Sequence, residues 1–166
     1  MKSSERIRKF FFPTINRRFF LRILLVGGIS WLIFSFLLIP LRIEGQSMAP
    51  TYKDGSFALC WRLRYFFTQP KREDVVTVRF AGKKVMLLKR IVGLPGDTVS
   101  FRDGELYINN TPPVEPYIKY KADWQLAERK VKPGHVYVIG DNRGSPMRQH
   151  KFGQVKNSRI IGGVIP

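Results

Sequence analysis

The pattern of apolar and polar positions separates one long apolar segment near the N-terminus from a series of short alternating runs. Within residues 19–41 the only charged residue is Arg22, and the nineteen residues 23–41 carry no charge. A helix needs about 20 mostly apolar residues to cross a hydrocarbon core of ~30 Å. We therefore predict a transmembrane helix over residues 19–41, which Pro40 and Arg42 would end.

This segment is expected to stay in the protein as an anchor. Its apolar run exceeds the roughly 7–15 residues of a cleaved signal sequence, and no small-x-small cleavage site follows it. An excess of basic residues ahead of the span favours a cytoplasmic N-terminus by the positive-inside rule. We thus predict a basic cytoplasmic flank over residues 1–18. The basic residues before position 23 are Lys2, Arg6, Arg8, Lys9, Arg17, Arg18 and Arg22.

After residue 42 the pattern changes to short runs rich in β-branched and aromatic residues. Such runs predict strands, and they cover residues 56–61, 75–80, 85–92, 98–102, 105–108 and 135–140. A turn is predicted at 81–84, and Asp103-Gly104 is a strong hairpin signal between two runs. The proline-containing residues 109–133 are expected to be an irregular excursion.

These elements predict the fold class: mainly β, with an N-terminal transmembrane helix followed by a coiled antiparallel β-sheet or barrel-like domain over residues 42–166. The 14 glycines and 11 prolines are scattered without a repeat, as in a turn-rich β protein. The formal net charge of +17 indicates an anionic partner. Beside an apolar span, anionic lipid is a better candidate than nucleic acid. The single cysteine, Cys60, cannot close an internal disulfide and is expected to be a buried apolar residue.

Lys89 is the first candidate for chemistry. Side chains alternate between the two faces of a strand, so Lys89 shares its face with Leu87 and Ile91. Burial among apolar neighbours disfavours the ammonium form and lowers the pKa. Lowering the pKa from ~10.4 to near neutrality costs roughly 3–4 kcal/mol. Lysine suits a general base because, unlike arginine, it can lose its charge.

Ser47 is the candidate nucleophile, and a serine needs a neighbouring base to act as one. Gly45 allows another part of the backbone to approach closely, and the Ser47 N–H is a natural oxyanion donor. A Ser–His pair with His135 or His150 is the less favoured alternative, because neither histidine lies in a nucleophile-like motif. We expect these two histidines to be a strand-entry residue and a loop residue.

Taken together, three stretches resemble the type I signal peptidase family of membrane-anchored serine–lysine proteases. Their order and spacing match the family, and the resemblance extends over nearly the whole chain. The stretches are Gly-Gln-Ser-Met-Ala-Pro-Thr at 45–51, Lys-Arg-Ile-Val-Gly-Leu-Pro-Gly-Asp at 89–97, and Gly-Asp-Asn-Arg at 140–143.

The resemblance implies that Ser47 is the nucleophile and Lys89 the general base, with no metal or cofactor. Met48 would help form the substrate pocket and seat the domain near lipid. Oxyanion or substrate contacts are expected from Ser47, Met48, Gly45 and Leu87. Supporting roles are expected for Arg90, Asp141, Asn142, Arg143 and Ser145.

The implied partners are exported preproteins and a bilayer with anionic lipids, and not nucleic acid. The expected location is the cytoplasmic (inner) membrane. The chain would cross it once, with its N-terminus inside and the catalytic domain on the periplasmic or extracellular side.

The third stretch departs from the family pattern, which usually continues Gly-Asp-Asn-x-x-x-Ser-x-Asp-Ser-Arg. Here Pro146 replaces the first serine of this pattern, which in the family orients the lysine, Arg148 replaces the aspartate, and His150 replaces the arginine. We expect Ser145 to take over the contact to the lysine, and Arg90 to lack its usual partner. This drift fits a specialised peptidase with few substrates. The open alternatives are a non-catalytic, peptidase-like membrane scaffold or chain-binding protein, and a membrane-tethered nucleic-acid-binding β-domain.

Overall fold

The structure, a computed structural model, describes residues 16–81 and 85–165. Most of the predicted basic flank, residues 1–15, and most of the predicted turn, residues 82–84, lie outside the described residues. The chain divides into two compact units, one up to Leu37 and one from Leu38 onward.

The first unit contains an apolar helix, α1 (Arg17–Leu32), which continues as a π-helical segment over Ile33–Leu37. The side chain of Asn16 begins the helix by accepting a hydrogen bond from the Phe19 N–H at 2.9 Å. The 21 helical residues are long and apolar enough to cross a membrane, and none of their side chains is buried. This finding is consistent with a membrane-anchored protein.

The helix ends at Leu37 and not at residue 41, which corrects the predicted span. The next residues form strand β1 (Leu38–Arg42), which pairs antiparallel with β2 (Phe57–Trp61). Pro40 has no N–H and cannot continue a helix, but it is tolerated in an edge strand such as β1. Apolar content alone could not separate the end of the helix from an apolar edge strand.

The second unit is built from antiparallel sheets, as predicted. One sheet has seven strands in the order β1-β2-β10-β3-β4-β8-β9, and the other has three in the order β6-β5-β7. A short helix, α2 (Arg64–Phe67), follows β2. The remaining strands are β3 (Val75–Ala81), β4 (Val85–Gly93), β5 (Thr98–Arg102), β6 (Glu105–Ile108), β7 (Leu126–Lys130), β8 (His135–Ile139), β9 (Gly153–Lys156) and β10 (Ile160–Ile165).

The predicted β5–β6 hairpin is confirmed. Arg102 pairs with Glu105 across the turn, and Asp103 and Gly104 have φ values of 50° and 76°. Two consecutive residues with positive φ are the signature of a tight hairpin turn, and a glycine takes this conformation at little cost.

Besides β1, the sequence pattern missed three further strands of the described residues. β7 lies inside the predicted irregular region 109–133 and pairs with β5. Its side chains are largely exposed, so they give no apolar alternation. β9 and β10 follow the last predicted strand, and β10 pairs with both β2 and β3. Gly162 weakens the strand signal in β10, yet a Cβ there would collide with the carbonyl oxygen of Trp61.

β4 is an interior strand of the large sheet and lies between β3 and β8. Ile91 of β4 is fully buried in a cluster with residues of β3 and β8. Cys60 is a buried free thiol, as expected. The candidate base therefore lies on a strand that contributes to the buried core of the sheet.

Candidate active site

Three segments converge at the centre of the large sheet. Ser47 lies in the turn that follows β1, and Lys89 and Arg90 lie on β4. The loop that follows β8 contributes Asp141 and Asn142. β8 pairs with β4 through Arg90 and Ile139, so this loop leaves the sheet beside Lys89.

The serine loop is fixed to the β8 loop through backbone contacts. The Asn142 N–H donates to the Ser47 carbonyl oxygen at 3.1 Å, and the Asn142 side-chain amide donates to the Gln46 carbonyl oxygen at 3.1 Å. A Cβ added to Gly140 would collide with the Ser47 carbonyl oxygen and lie 3.2 Å from the Lys89 Nζ. Glycine at this position therefore leaves room for both the Ser47 carbonyl oxygen and the Lys89 amine beside the end of β8.

Ser47 borders two cavities. The first has a volume of about 320 Å³, and its lining includes Ile43, Gly45, Met48, Leu87 and Leu88. The second, of about 290 Å³, is lined by Gln46, Ser47, Leu87, Lys89, Asn142, Ser145, Gln149, His150 and Lys151. Ser47 therefore borders both a cavity of mixed polar and apolar lining, which also includes Arg42 and Glu44, and a cavity that contains the lysine.

The electrostatics of Lys89 agree with its expected burial. The residue is 3% exposed, and burial lowers the pKa of its amine from 10.5 to about 8. The negative charge of Asp141 raises this pKa, and the positive charge of Lys151 lowers it. A substantial fraction of the amine is thus neutral under mildly alkaline conditions, as a general base requires.

Arg90 has a partner, contrary to the expectation that it would lack one. Its Nε donates to Asp141 Oδ1 at 2.8 Å, and its Nη2 donates to Oδ2 at 2.6 Å. The same carboxylate accepts a hydrogen bond from the Thr51 hydroxyl at 2.6 Å, and the guanidinium lies 3.8 Å from the centre of the Tyr117 ring. Asp141 belongs to the Gly-Asp-Asn part of the third stretch, which matches the family pattern, and it forms the ion pair with Arg90. Arg90 is therefore paired even though Arg148 stands where that pattern has an aspartate.

Arg143 and Ser145 are placed differently from each other. Arg143 is buried and forms a two-pronged ion pair with Glu115, with distances of 2.7 and 2.6 Å. Ser145 lines the lysine cavity, and its carbonyl oxygen accepts from the Trp124 indole at 2.8 Å. Within residues 16–81 and 85–165, its hydroxyl makes no hydrogen bond to Lys89. Its expected contact to the lysine stays a prediction.

Two of the expected contacts near Ser47 need refinement. Met48 is 1% exposed and packs with Ile43, Ala58, Val75 and Val164, so it cannot seat the domain against lipid. Gly45 has a φ of 88°, which favours glycine, and its N–H already donates to Asp54 at 2.8 Å. Met48 and Gly45 both line the cavity of about 320 Å³.

Sequence reasoning missed several residues around the site. Glu115 pairs with Arg143 and Tyr117 lies against Arg90, but isolated residues in loops give no signal of such contacts. Thr51 lies in the 45–51 stretch, yet its contact with Asp141 was not expected. His150 and Lys151 line the lysine cavity, whereas His150 was expected to be only a loop residue. Across the described ranges, no group of three or more His, Cys, Asp or Glu residues could hold a metal ion.

Comparison with known proteins places the chain in a class of peptidases. The model of the family described as "Signal peptidase, peptidase S26" matches residues 16–165. The match includes the apolar helix, both sheets and the three segments that meet at the cavity. The chain therefore belongs to the signal peptidase, peptidase S26, family.

Curated relatives agree with this membership. A "Signal peptidase I" of Bacillus caldolyticus is 36% identical over 136 residues, which are 74% of this chain and 74% of the relative. A "Signal peptidase I V" of Bacillus subtilis (strain 168) is 32% identical over 138 residues, or 75% of this chain and 82% of the relative. Among solved structures, a signal peptidase I from Enterococcus faecalis V583 matches with a TM-score of 0.48 and 28% identity, over 59% of this chain and 98% of that chain.

Proposed function

We propose that this chain is a membrane-bound serine endopeptidase that removes N-terminal signal peptides from exported preproteins, with Ser47 as nucleophile and Lys89 as general base. The observation that carries the proposal is the cavity shared by Ser47 and the buried Lys89. The pKa of about 8 gives that lysine a form that can accept a proton near physiological pH.

The proposed reaction begins with transfer of the Ser47 hydroxyl proton to the neutral Lys89 amine. The oxygen attacks the scissile carbonyl, and the leaving amine then takes the proton from Lys89. Lys89 next removes a proton from a water molecule, whose oxygen attacks the acyl carbonyl. The ester bond to Ser47 then breaks, and the Lys89 ammonium returns the proton to the Ser47 oxygen. In the part of the chain that is described, the Ser47 N–H donates no hydrogen bond, which supports its use as an oxyanion donor.

The first of the two cavities that Ser47 borders supports a role in substrate binding. Its volume of about 320 Å³ and its lining by Met48 and Leu87 suit small apolar side chains near the cut. A substrate cleaved after a small-x-small motif would present such side chains in an extended conformation. Hydrogen bonds from the edges of neighbouring strands would align its backbone.

The apolar helix supports membrane attachment of the enzyme. We propose that residues 17–37 cross the cytoplasmic membrane once, with the N-terminus inside and the β-unit on the periplasmic or extracellular side. The net charge of +17 would favour a surface of anionic lipids.

An experiment on cells that express the full chain tests both activity and orientation. Mass spectrometry of exported proteins is expected to find uncleaved N-termini when the chain is depleted, and mature N-termini when it is restored. Protease added outside spheroplasts should digest the region after Arg42. Unchanged N-termini on depletion would contradict the activity, whereas full protection from external protease would contradict only the orientation.

The cleavage rate is expected to rise with pH between about 6 and 9, with its midpoint near a pH of about 8. Only the neutral Lys89 amine can accept the serine proton, so activity is lost as the pH falls below that pKa. About one tenth of the amine is neutral at pH 7. Single-turnover cleavage rates, measured at saturating precursor concentration over this pH range, would record the rise. A midpoint near 6.5 would indicate a histidine base instead.

A further inference from the structure

Two residues that line the cavity beside Ser47 carry nitrogen groups that lack partners among the described residues. The His150 Nε2 is buried and has no hydrogen-bond partner within the described ranges. Among those same residues, the Lys89 amine makes no hydrogen bond and no ion pair. His150 and Lys89 line the same cavity of about 290 Å³. A buried polar atom without a partner costs stability, so its retention calls for an explanation.

The imidazole of His150 is held in place by packing. The ring follows a 3₁₀ turn over Met147–Gln149, and its centre lies 4.7 Å from that of Trp124. The ring of Phe152 also stacks on Trp124, with 5.5 Å between the two ring centres. The ring is therefore fixed as part of the cavity wall and does not extend freely into solvent.

His150 is suited to accept a hydrogen bond. Burial lowers the pKa of its imidazole, the nearby charge of Lys89 lowers it further, and a hydrogen bond with the Ser145 backbone raises it. The net lowering favours a neutral ring at neutral pH, in which one of the two nitrogens has a free lone pair. Lys89 offers N–H groups and no acceptor once it is protonated, so the two groups are complementary.

We propose that His150 is a positioning residue for Lys89: its Nε2 accepts a hydrogen bond from the lysine amine and directs that amine toward Ser47. This inference rests on the proposed function, since it assigns a role in the same reaction. No proton moves to the imidazole. The Ser47 proton goes to the Lys89 Nζ, and one N–H of the resulting ammonium donates to His150 while another faces the serine oxygen.

Two substitutions separate hydrogen bonding from packing. His150→Phe retains a ring against Trp124 but removes the acceptor, whereas His150→Gln loses the ring and places an amide near the position of Nε2. We expect His150→Phe to lower kcat about tenfold with little change in KM, which corresponds to the loss of one hydrogen bond. His150→Gln is expected to stay within about threefold of the unchanged protein, because its amide can replace the acceptor.

The experiment measures kcat and KM of the full chain in detergent with a precursor, together with the melting temperature of each variant. Wild-type kcat for His150→Phe would overturn the proposal, and so would an equal loss in both variants, because an acceptor at this position would then make no difference to the rate. A larger loss for Ser145→Ala than for His150→Phe would assign the contact to Ser145 and also overturn it. Ser47→Ala is measured in parallel: activity in that variant would overturn the proposed function itself, independently of His150.

Discussion

Ser47→Ala and Lys89→Met are each expected to abolish cleavage of a precursor by the full chain. The first removes the attacking oxygen, and the second keeps the length and burial of the side chain but removes the lone pair that takes the proton. Because the two groups act as one unit, either loss should reach at least about a thousandfold in kcat. Lys89→Arg is expected to be as inactive, because arginine stays charged.

The double variant Ser47→Ala, Lys89→Met provides a sharper measurement than either single change. Groups that act in one step are strongly non-additive, so the double variant should be no slower than the single variants. Lys53→Met is the matched control, since Lys53 is an exposed lysine in the segment after the serine and lines neither cavity at Ser47. Full activity in either single variant would contradict the assignment of the nucleophile and base.

Asp141→Ala is expected to destabilise the β-unit by about 3–5 kcal/mol, because it leaves a buried arginine without its counter-charge. The Asp141 side chain is 1% exposed, and that of Arg90 is 10% exposed. The substitution also removes the acceptor for Thr51, which ties the serine segment to the β8 loop. Thermal or denaturant unfolding in detergent would measure the loss. The free energy of unfolding of Asp141→Asn should lie between those of the unchanged protein and Asp141→Ala.

Glu128→Ala is the matched control for this ion pair. Glu128 pairs with Arg102 at 3.3 Å, but both side chains are more than half exposed. Solvent screens such a pair, so its loss is expected to change the free energy of unfolding by no more than about 1 kcal/mol. An equal effect of Asp141→Ala and Glu128→Ala would mean that the Arg90–Asp141 pair does not stabilise the site.

Local pattern was enough to predict the elements whose signals lie within a few residues. The Asp103-Gly104 hairpin depends on two adjacent residues, and the burial of Lys89 depends on its apolar neighbours along one strand. Where an element depends on distant pairing, the pattern failed. The apolar residues 38–41 fit a helix as well as a strand, and the choice was made by pairing with β2. β7 is largely exposed, and only its pairing with β5 marks it as a strand.

By itself, the sequence determined the apolar helix, the mainly antiparallel β fold and the residue types from which a serine–lysine reaction could be built. Only the tertiary structure decided which distant groups meet. Asp141 was found to hold Arg90, Glu115 to hold Arg143, and His150 to share a cavity with Lys89. The physical reason is that burial and strand alternation act locally, whereas ion pairs and cavity walls join segments that only the folded sheet brings together.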